Sequence, residues 1–209
     1  MALPSGKAFF IFVPDMSHSV GTSSRSVFCL GDEMRITGQQ LASIAGVPLA
    51  RVDKFVPYLN GAMEHYQINT PARVAAFLAQ LAHESGGFRY VRELASGRAY
   101  EGRKDLGNVY SGDGVRFKGR GLIQITGRSN YAALEKDLPL LGLLQNPHWL
   151  ESDRWAVWSA GWFWNKKGLN ALADDGLFKQ ITRKINGGYN GLADRYKYYE
   201  RAKRVLGVA

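Results

Sequence analysis

With one cysteine, four histidines and no long apolar run, this chain of 209 residues has few means of holding itself together or acting beyond packing and ordinary polar side chains. Cys29 alone cannot form an intramolecular disulfide. His18, His65, His83 and His148 are too scattered for a zinc ligand set, so no metal and no cofactor is expected. No stretch approaches the roughly 18 apolar residues of a membrane span. The apolar run Ala8–Val13 follows Lys7 but stops at Pro14 and Asp15, too early for a cleavable secretory signal. Negative charge is also in short supply. Asp and Glu number 18 against 27 Lys and Arg, a net charge of +9, which favours an anionic partner: nucleic acid, a membrane surface or an anionic cell wall. No helix-turn-helix, zinc-finger or aromatic RNA-binding pattern supports nucleic acid. Arg183, Lys184, Arg195, Lys197, Arg201, Lys203 and Arg204 are most simply read as a solvated helix face.

The length suits one domain with a substantial core. Residues 1–33 are rich in Ser and Gly with little periodicity, and read as an N-terminal extension: a strand pair, a poorly ordered arm, or a stretch upstream of a true start at Met34. Finding an intact Met1 or Ala2 terminus by mass analysis would eliminate the last option. The domain pattern occupies 34–209. Helical periodicity covers 39–45, 56–66 and 71–84, with a short turn over 48–54, then 130–136, 153–167, 177–185 and 194–206, and the fold is mainly α. Between Gly86 and Gly121, nine glycines interrupt short polar and aromatic pieces, and a connection of this length inside a domain is usually functional. Only 88–94 and 122–126 look like strands, so any sheet is small. Trp155, Trp158 and Trp162 share one helix face, where packing is a better reading than sugar stacking.

The segment 70–87 carries the first chemical signal. Thr70 is a helix N-cap and Pro71 suits the first helical position. Val74, Phe77, Leu78 and Leu81 mark a buried face, and Glu84 follows on the same side, just before Gly86 and Gly87. Partial desolvation and the negative end of the helix dipole both disfavour its ionised form there, and a raised pKa suits a general acid. The plainer alternative is a surface glutamate closing a helix that Gly86 caps. Nine residues on, Glu93 supplies a second carboxylate in the glycine-rich region. Glycosidic bond cleavage needs such a pair, one protonated and one ionised; a salt bridge from Glu93 to Arg92 or Arg89 is the competing reading. In Gly119–Gly127, Gln124 and Thr126 alternate onto one face of an expected strand, able to hold a sugar and a water or simply to face solvent. Asn130 and Tyr131 follow. Asn186 ends a helix in a glycine turn, where a C-cap role is also open.

Taken together, His83-Glu84-Ser85-Gly86-Gly87, Glu93, Tyr100-Glu101-Gly102-Arg103, Gly112-Asp113-Gly114, Gly119-Arg120-Gly121-Leu122-Ile123-Gln124-Ile125-Thr126-Gly127, Asn130-Tyr131 and Ile185-Asn186-Gly187-Gly188 resemble glycoside hydrolase family 19 from about Thr37 to Leu206. That family contains chitinases and lysozyme-like phage or prophage endolysins. The resemblance implies a lysozyme-like α+β domain with a substrate cleft and a small β element. It implies Glu84 as general acid, Glu93 as general base and Thr126 as holder of the attacking water. It implies substrate contacts from Gln124, Asn130, Tyr131 and Asn186, with Glu101 and Arg195 added to that set and Glu101 as runner-up base. Inversion implies a carboxylate separation of roughly 6.5–9.5 Å.

The short Glu84–Glu93 connection and the single cysteine favour the bacterial and phage branch over plant-type chitinases. The expected substrate is therefore peptidoglycan, cut at β-1,4 linkages by a monomer that accumulates in the cytoplasm, is released with the help of a holin and acts in the periplasm or wall. Chitin is the alternative substrate, and a non-catalytic wall-binding module the third reading.

Overall fold

The computed structural model describes residues 34–138 and 140–208. The expected N-terminal extension, residues 1–33, lies outside the described residues. Among those described, the helices in chain order are α1 (Gly38–Ala45), α2 (Leu49–Val52), α3 (Val56–His65), α4 (Pro71–Glu84), α5 (Asp113–Arg116), α6 (Arg128–Asp137), α7 (Asp153–Lys166), α8 (Leu169–Asp174), α9 (Phe178–Asn186) and α10 (Leu192–Leu206). One-turn 3-10 segments lie at Asp53–Phe55, Arg98–Tyr100, Lys104–Leu106 and Pro147–Glu151. The mainly α expectation holds.

Helix α4 is the axis of the domain. Thr70 accepts a hydrogen bond from the Arg73 amide at 3.3 Å, and Pro71 occupies the first turn, where its missing N–H costs nothing. Every residue from Val74 to Ala82 is buried, so α4 has no exposed face in its middle, where the sequence pattern marks one apolar stripe. A helix buried on all sides needs small residues where neighbours approach. Ala75, Ala76, Ala79 and Ala82 provide them, and α10, α8 and α1 pack around the helix. Phe77 meets Trp164 of α7 edge to face at 5.2 Å.

The α4 C-terminus is a compact turn. The Ser85 hydroxyl donates to the Leu81 carbonyl at 2.6 Å and accepts from the Phe88 amide at 2.8 Å, while the Gly87 amide returns to the Ala82 carbonyl at 2.7 Å. Gly86 and Gly87 are left-handed at φ 59° and 70°, and Phe88 follows at φ 60°, a conformation costly for a residue with a Cβ. Burial of the Phe88 ring against Phe55, 5.8 Å away, holds it there.

The strands expected over 88–94 and 122–126 do not form. In their place are two isolated antiparallel bridges, Arg92 with Arg120 and Arg120 with Ile125. The positive φ values of Phe88, Gly121 and Gln124 bend the backbone where a strand needs it extended. The bridges still tie the segment after α4 to the segment before α6, through Glu93 N to Gly119 O and Gly121 N to Val91 O, both 2.9 Å.

On α7, Trp162 is buried and its indole donates to Asp137 at 2.9 Å, while Trp155 and Trp158 pack partly buried against the core. The fully buried tryptophan is Trp164, which lies off the expected stripe. Ser152 is the N-cap residue of α7.

Candidate active site

A cleft of about 330 Å³ opens where the C-terminus of α4 meets the glycine-rich connection and the end of α9. Glu84, Tyr100, Arg103, Gln124, Thr126 and Asn186 are among its lining residues.

Glu84 is held by a buried polar chain that crosses three helices. Arg195 of α10, 2% exposed, donates from one guanidinium nitrogen to Glu84 Oε1 at 2.5 Å and from another to the Gln80 side-chain oxygen. The Gln80 amide in turn donates to the Thr182 hydroxyl of α9 at 2.9 Å. Gln80 stands one turn before Glu84, so the planar arginine fork spans two residues on one face of α4. This corrects two expectations for Arg195: it does not belong to a solvated basic face, and its burial against α4 keeps it from contacting substrate. Glu84 is thus in an ion pair, where the sequence reading placed a solitary carboxylate at the negative end of a helix. Among the described residues only its Oε1 is engaged, and its side chain is 18% exposed. Beside it, the His83 ring meets Asp194 of α10 at 2.7 Å, a second tie between the two helices.

Glu93 is held differently. The Tyr100 hydroxyl donates to Oε1 at 2.9 Å and the Gly119 amide to Oε2 at 3.1 Å. Burial, followed by the hydrogen bond and charge of Glu93, pushes the Tyr100 phenol above its ordinary value and keeps it a donor through neutral pH. The competing salt bridges do not form: Arg92 reaches Glu151 at 3.6 Å, and Arg89 sits over the Tyr90 ring.

Three acceptors converge beside Gly119. A Cβ there would lie 2.8 Å from Gln124 Oε1 and 3.3 Å from both Glu93 Oε2 and Thr126 Oγ1. The glycine is needed for this space, since its φ is not positive. The Gln124 amide nitrogen donates to Gly121 O at 2.9 Å, which fixes its oxygen toward the gap, and the Thr126 hydroxyl donates to Gln124 O at 2.9 Å. Gln124 and Thr126 therefore do meet, but through a tight bend with Gln124 at φ 57° instead of strand alternation. A water beside them has two O–H groups to donate to two of these three acceptors at a time, and keeps a lone pair free to attack.

The remaining expected residues divide. Asn186 lines the cleft, and its side chain also donates to Asn190 O at 3.3 Å across the glycine turn. Asn130 is exposed outside the cleft lining and donates to Thr126 O at 2.7 Å, bracing the threonine backbone. Tyr131 is corrected outright: it is fully buried and cannot touch substrate. Its hydroxyl donates to Lys118 O at 2.9 Å and accepts from Arg120 at 3.1 Å, and burial pushes its pKa up to about 12. Glu101 is corrected as well. Its two carboxylate oxygens accept from the Gly112 and Gly114 amides at 2.7 and 2.8 Å, so it staples two glycine-rich turns and is not placed to act as a base. Sequence reasoning missed Gln80, Tyr100 and Gly119. For Gln80 a signal existed, a lone amide in an alanine-rich helix one turn before the glutamate; Tyr100 and Gly119 stand in the family pattern, but their contacts with Glu93 are evident only from folding.

Comparison with protein-family models gives no match. The chain is 36% identical over 157 residues to a Haemophilus influenzae protein described as "Glycosyl hydrolase family 19 domain-containing protein", covering 60% of this chain and 76% of that one. It is 40% identical over 142 residues to Endochitinase At2g43620 of Arabidopsis thaliana, covering 65% of this chain and 48% of the plant protein, so it spans about half of that relative's length. Chitinase C from Streptomyces griseus shares the fold, with a TM-score of 0.70 at 24% identity over 86% of this chain and 96% of that one. From this relationship and the mainly helical fold, the chain belongs to glycosyl hydrolase family 19.

Proposed function

We propose that this glycoside hydrolase cleaves β-1,4 linkages of peptidoglycan glycan strands with inversion, using Glu84 as acid and Glu93 as base. The observation that carries the mechanism is the convergence of Glu93, Gln124 and Thr126 on the gap beside Gly119, with Glu84 lining the same cleft. Protonated Glu84 passes its proton to the glycosidic oxygen as the bond from the anomeric carbon breaks. Water held by Thr126 and Gln124 attacks that carbon from the other face, and Glu93 takes the proton that the water loses. The negative charge then arriving on Glu84 is met by Arg195, a preorganised cation that helps most as the proton leaves. This assignment requires a carboxylate separation of roughly 6.5–9.5 Å in the substrate complex.

The net charge of +9 supports an anionic wall polymer as substrate. In this reading the enzyme acts as a monomeric endolysin that reaches the wall through holin-dependent release. A second reading, chitin, is favoured by the Arabidopsis relative, which is named an endochitinase. To decide between them, purified peptidoglycan and chitin oligomers are digested separately, reduced with borohydride and analysed by mass spectrometry. Reduced muramic acid ends are expected. Reduced N-acetylglucosamine from chitin oligomers, with no new ends from peptidoglycan, would establish the chitinase reading instead.

A further inference from the structure

Helix α9 has two different sides. Phe178, Ile181 and Thr182 are buried, Thr182 in the chain that holds Glu84, and Ile185 and Asn186 line the cleft. The outward side meets a recess of about 550 Å³ lined by Gln180, Arg183, Lys184, Gly187 and Tyr189. Since Asn186 lines the cleft and Gly187 the recess, the two adjoin along the chain.

Helix physics explains only part of the positive charge there. Lys184 donates to the Lys167 carbonyl at 3.2 Å, and cations suit the last turn of a helix. Lys179 lies in the first turn, where the dipole opposes a cation, and that turn contains no acidic residue. Its ammonium sits 5.0 Å from the centre of the Tyr189 ring, which is 45% exposed. Among the described residues, no acceptor meets the Arg183 guanidinium. Arg183, Lys184 and the Tyr189 ring thus line an open recess with no carboxylate among its lining residues, and Lys179 adds a cation against that ring, beside the cleft.

We propose that this recess is a carboxylate-binding extension of the cleft, with Arg183 and Lys179 receiving an acidic substituent of an amino-sugar strand whose backbone lies at Glu84. It rests on the peptidoglycan reading, because a neutral N-acetylglucosamine polymer has no carboxylate to offer. The arginine fork matches a carboxylate in two-point geometry, and Tyr189 offers an apolar surface to the adjoining sugar or peptide. The carboxylate has two sources in a wall strand, the stem peptide or the lactyl group left when the stem is removed.

The test uses Glu84→Gln as the inactive parent and measures co-sedimentation with intact sacculi, amidase-trimmed glycan strands and chitin. Adding Lys179→Gln and Arg183→Gln together is expected to weaken binding to sacculi about tenfold. The same charge change on another groove, Lys197→Gln with Arg204→Gln on α10, is expected to weaken it less than about twofold, and chitin binding should not change. Loss on intact sacculi alone assigns the stem-peptide carboxylate, and loss on both intact sacculi and trimmed strands shows that the recess takes the stem carboxylate and, once the stem is removed, the lactyl carboxylate; loss on trimmed strands alone overturns the proposal for the intact wall. Equal loss from both double variants, no loss, or an equal loss on chitin overturns the proposal, once thermal melting shows that each variant is folded. If the parent binds sacculi and the α9 variant does not, while unsubstituted enzyme generates no muramic acid ends, the hydrolysis reading fails and the recess stands. If the parent does not bind sacculi, both fail.

Discussion

The two candidate carboxylates are held by opposite means. Glu84 belongs to a wall of regular helices, and its position is set by side chains: a buried arginine from α10 and, through Gln80, a hydroxyl from α9. Glu93 belongs to a wall with almost no regular structure, and it is set by a backbone amide from Gly119 and a phenol from Tyr100. The helical wall fixes an ion pair by packing, at the risk of stranding a buried charge when one partner is lost. The glycine-rich wall brings backbone and small polar groups so close together that only a residue without a Cβ fits among them. Damage to the first should therefore appear in both stability and activity, and damage to the second mainly in activity.

The largest effects are expected where both walls lose their chemistry. Glu84→Gln and Glu93→Gln should each lower turnover by roughly 100- to 10,000-fold, Glu93→Gln with near-normal melting and Glu84→Gln with a lowered melting temperature, since it leaves the buried Arg195 without its counter-charge. Glu101→Gln should cost about 1 kcal/mol of stability through its two amide contacts and leave turnover largely intact. If Glu101→Gln were the worse enzyme in a wall-lysis assay, the base would be misassigned. Next comes Arg195→Met, expected to remove about 3–5 kcal/mol of stability by leaving Glu84 without its cation, and activity with it. A variant that melts like the parent in denaturant titration would break the contrast between the walls.

Gly119→Ala tests the other wall. Its methyl group would enter the gap between Glu93, Gln124 and Thr126, and turnover should fall about 100-fold while melting changes little. Thr126→Ala should cost less than either carboxylate, because it orients water without taking the proton. The smallest effect concerns pH. Hydrogen bonds from Arg128, opposed by burial and aided by the Tyr110 amide, hold the Asp113 carboxyl below the ordinary carboxylate range. Because the folded value lies below the unfolded value of about 3.9, this contribution to stability is present above that pH and lost as pH falls through the folded value. Melting temperature should therefore drop on acidification below about pH 4, and Asp113→Asn should flatten part of that drop. An unchanged slope would show that this ion pair does not anchor the glycine-rich wall.

Much of the helical wall was legible. Thr70, Pro71 and the apolar spacing gave the limits of α4, because caps and periodicity are local. The glycine-rich wall was legible as residues and not as shape. Glu93, Gln124 and Thr126 stood out by type, yet the strand inferred for 122–126 is a bend, since alternation in sequence says nothing of a left-handed Gln124. Arg195 was misread as exposed because a basic residue in a basic helix carries no local mark of the partly buried glutamate and buried glutamine it faces.

The sequence by itself determined which carboxylates stand ready, the family pattern around them and the helix that ends at Glu84. Each depends on residue type and spacing over short stretches. Only the tertiary structure decided what each carboxylate touches, for Arg195 and Glu84 lie 111 residues apart and meet through the packing of α10 on α4. It decided as well that Tyr131 and Glu101 are structural and that Gly119 leaves a gap beside Glu93, because burial and the space between side chains arise only when distant segments are brought together.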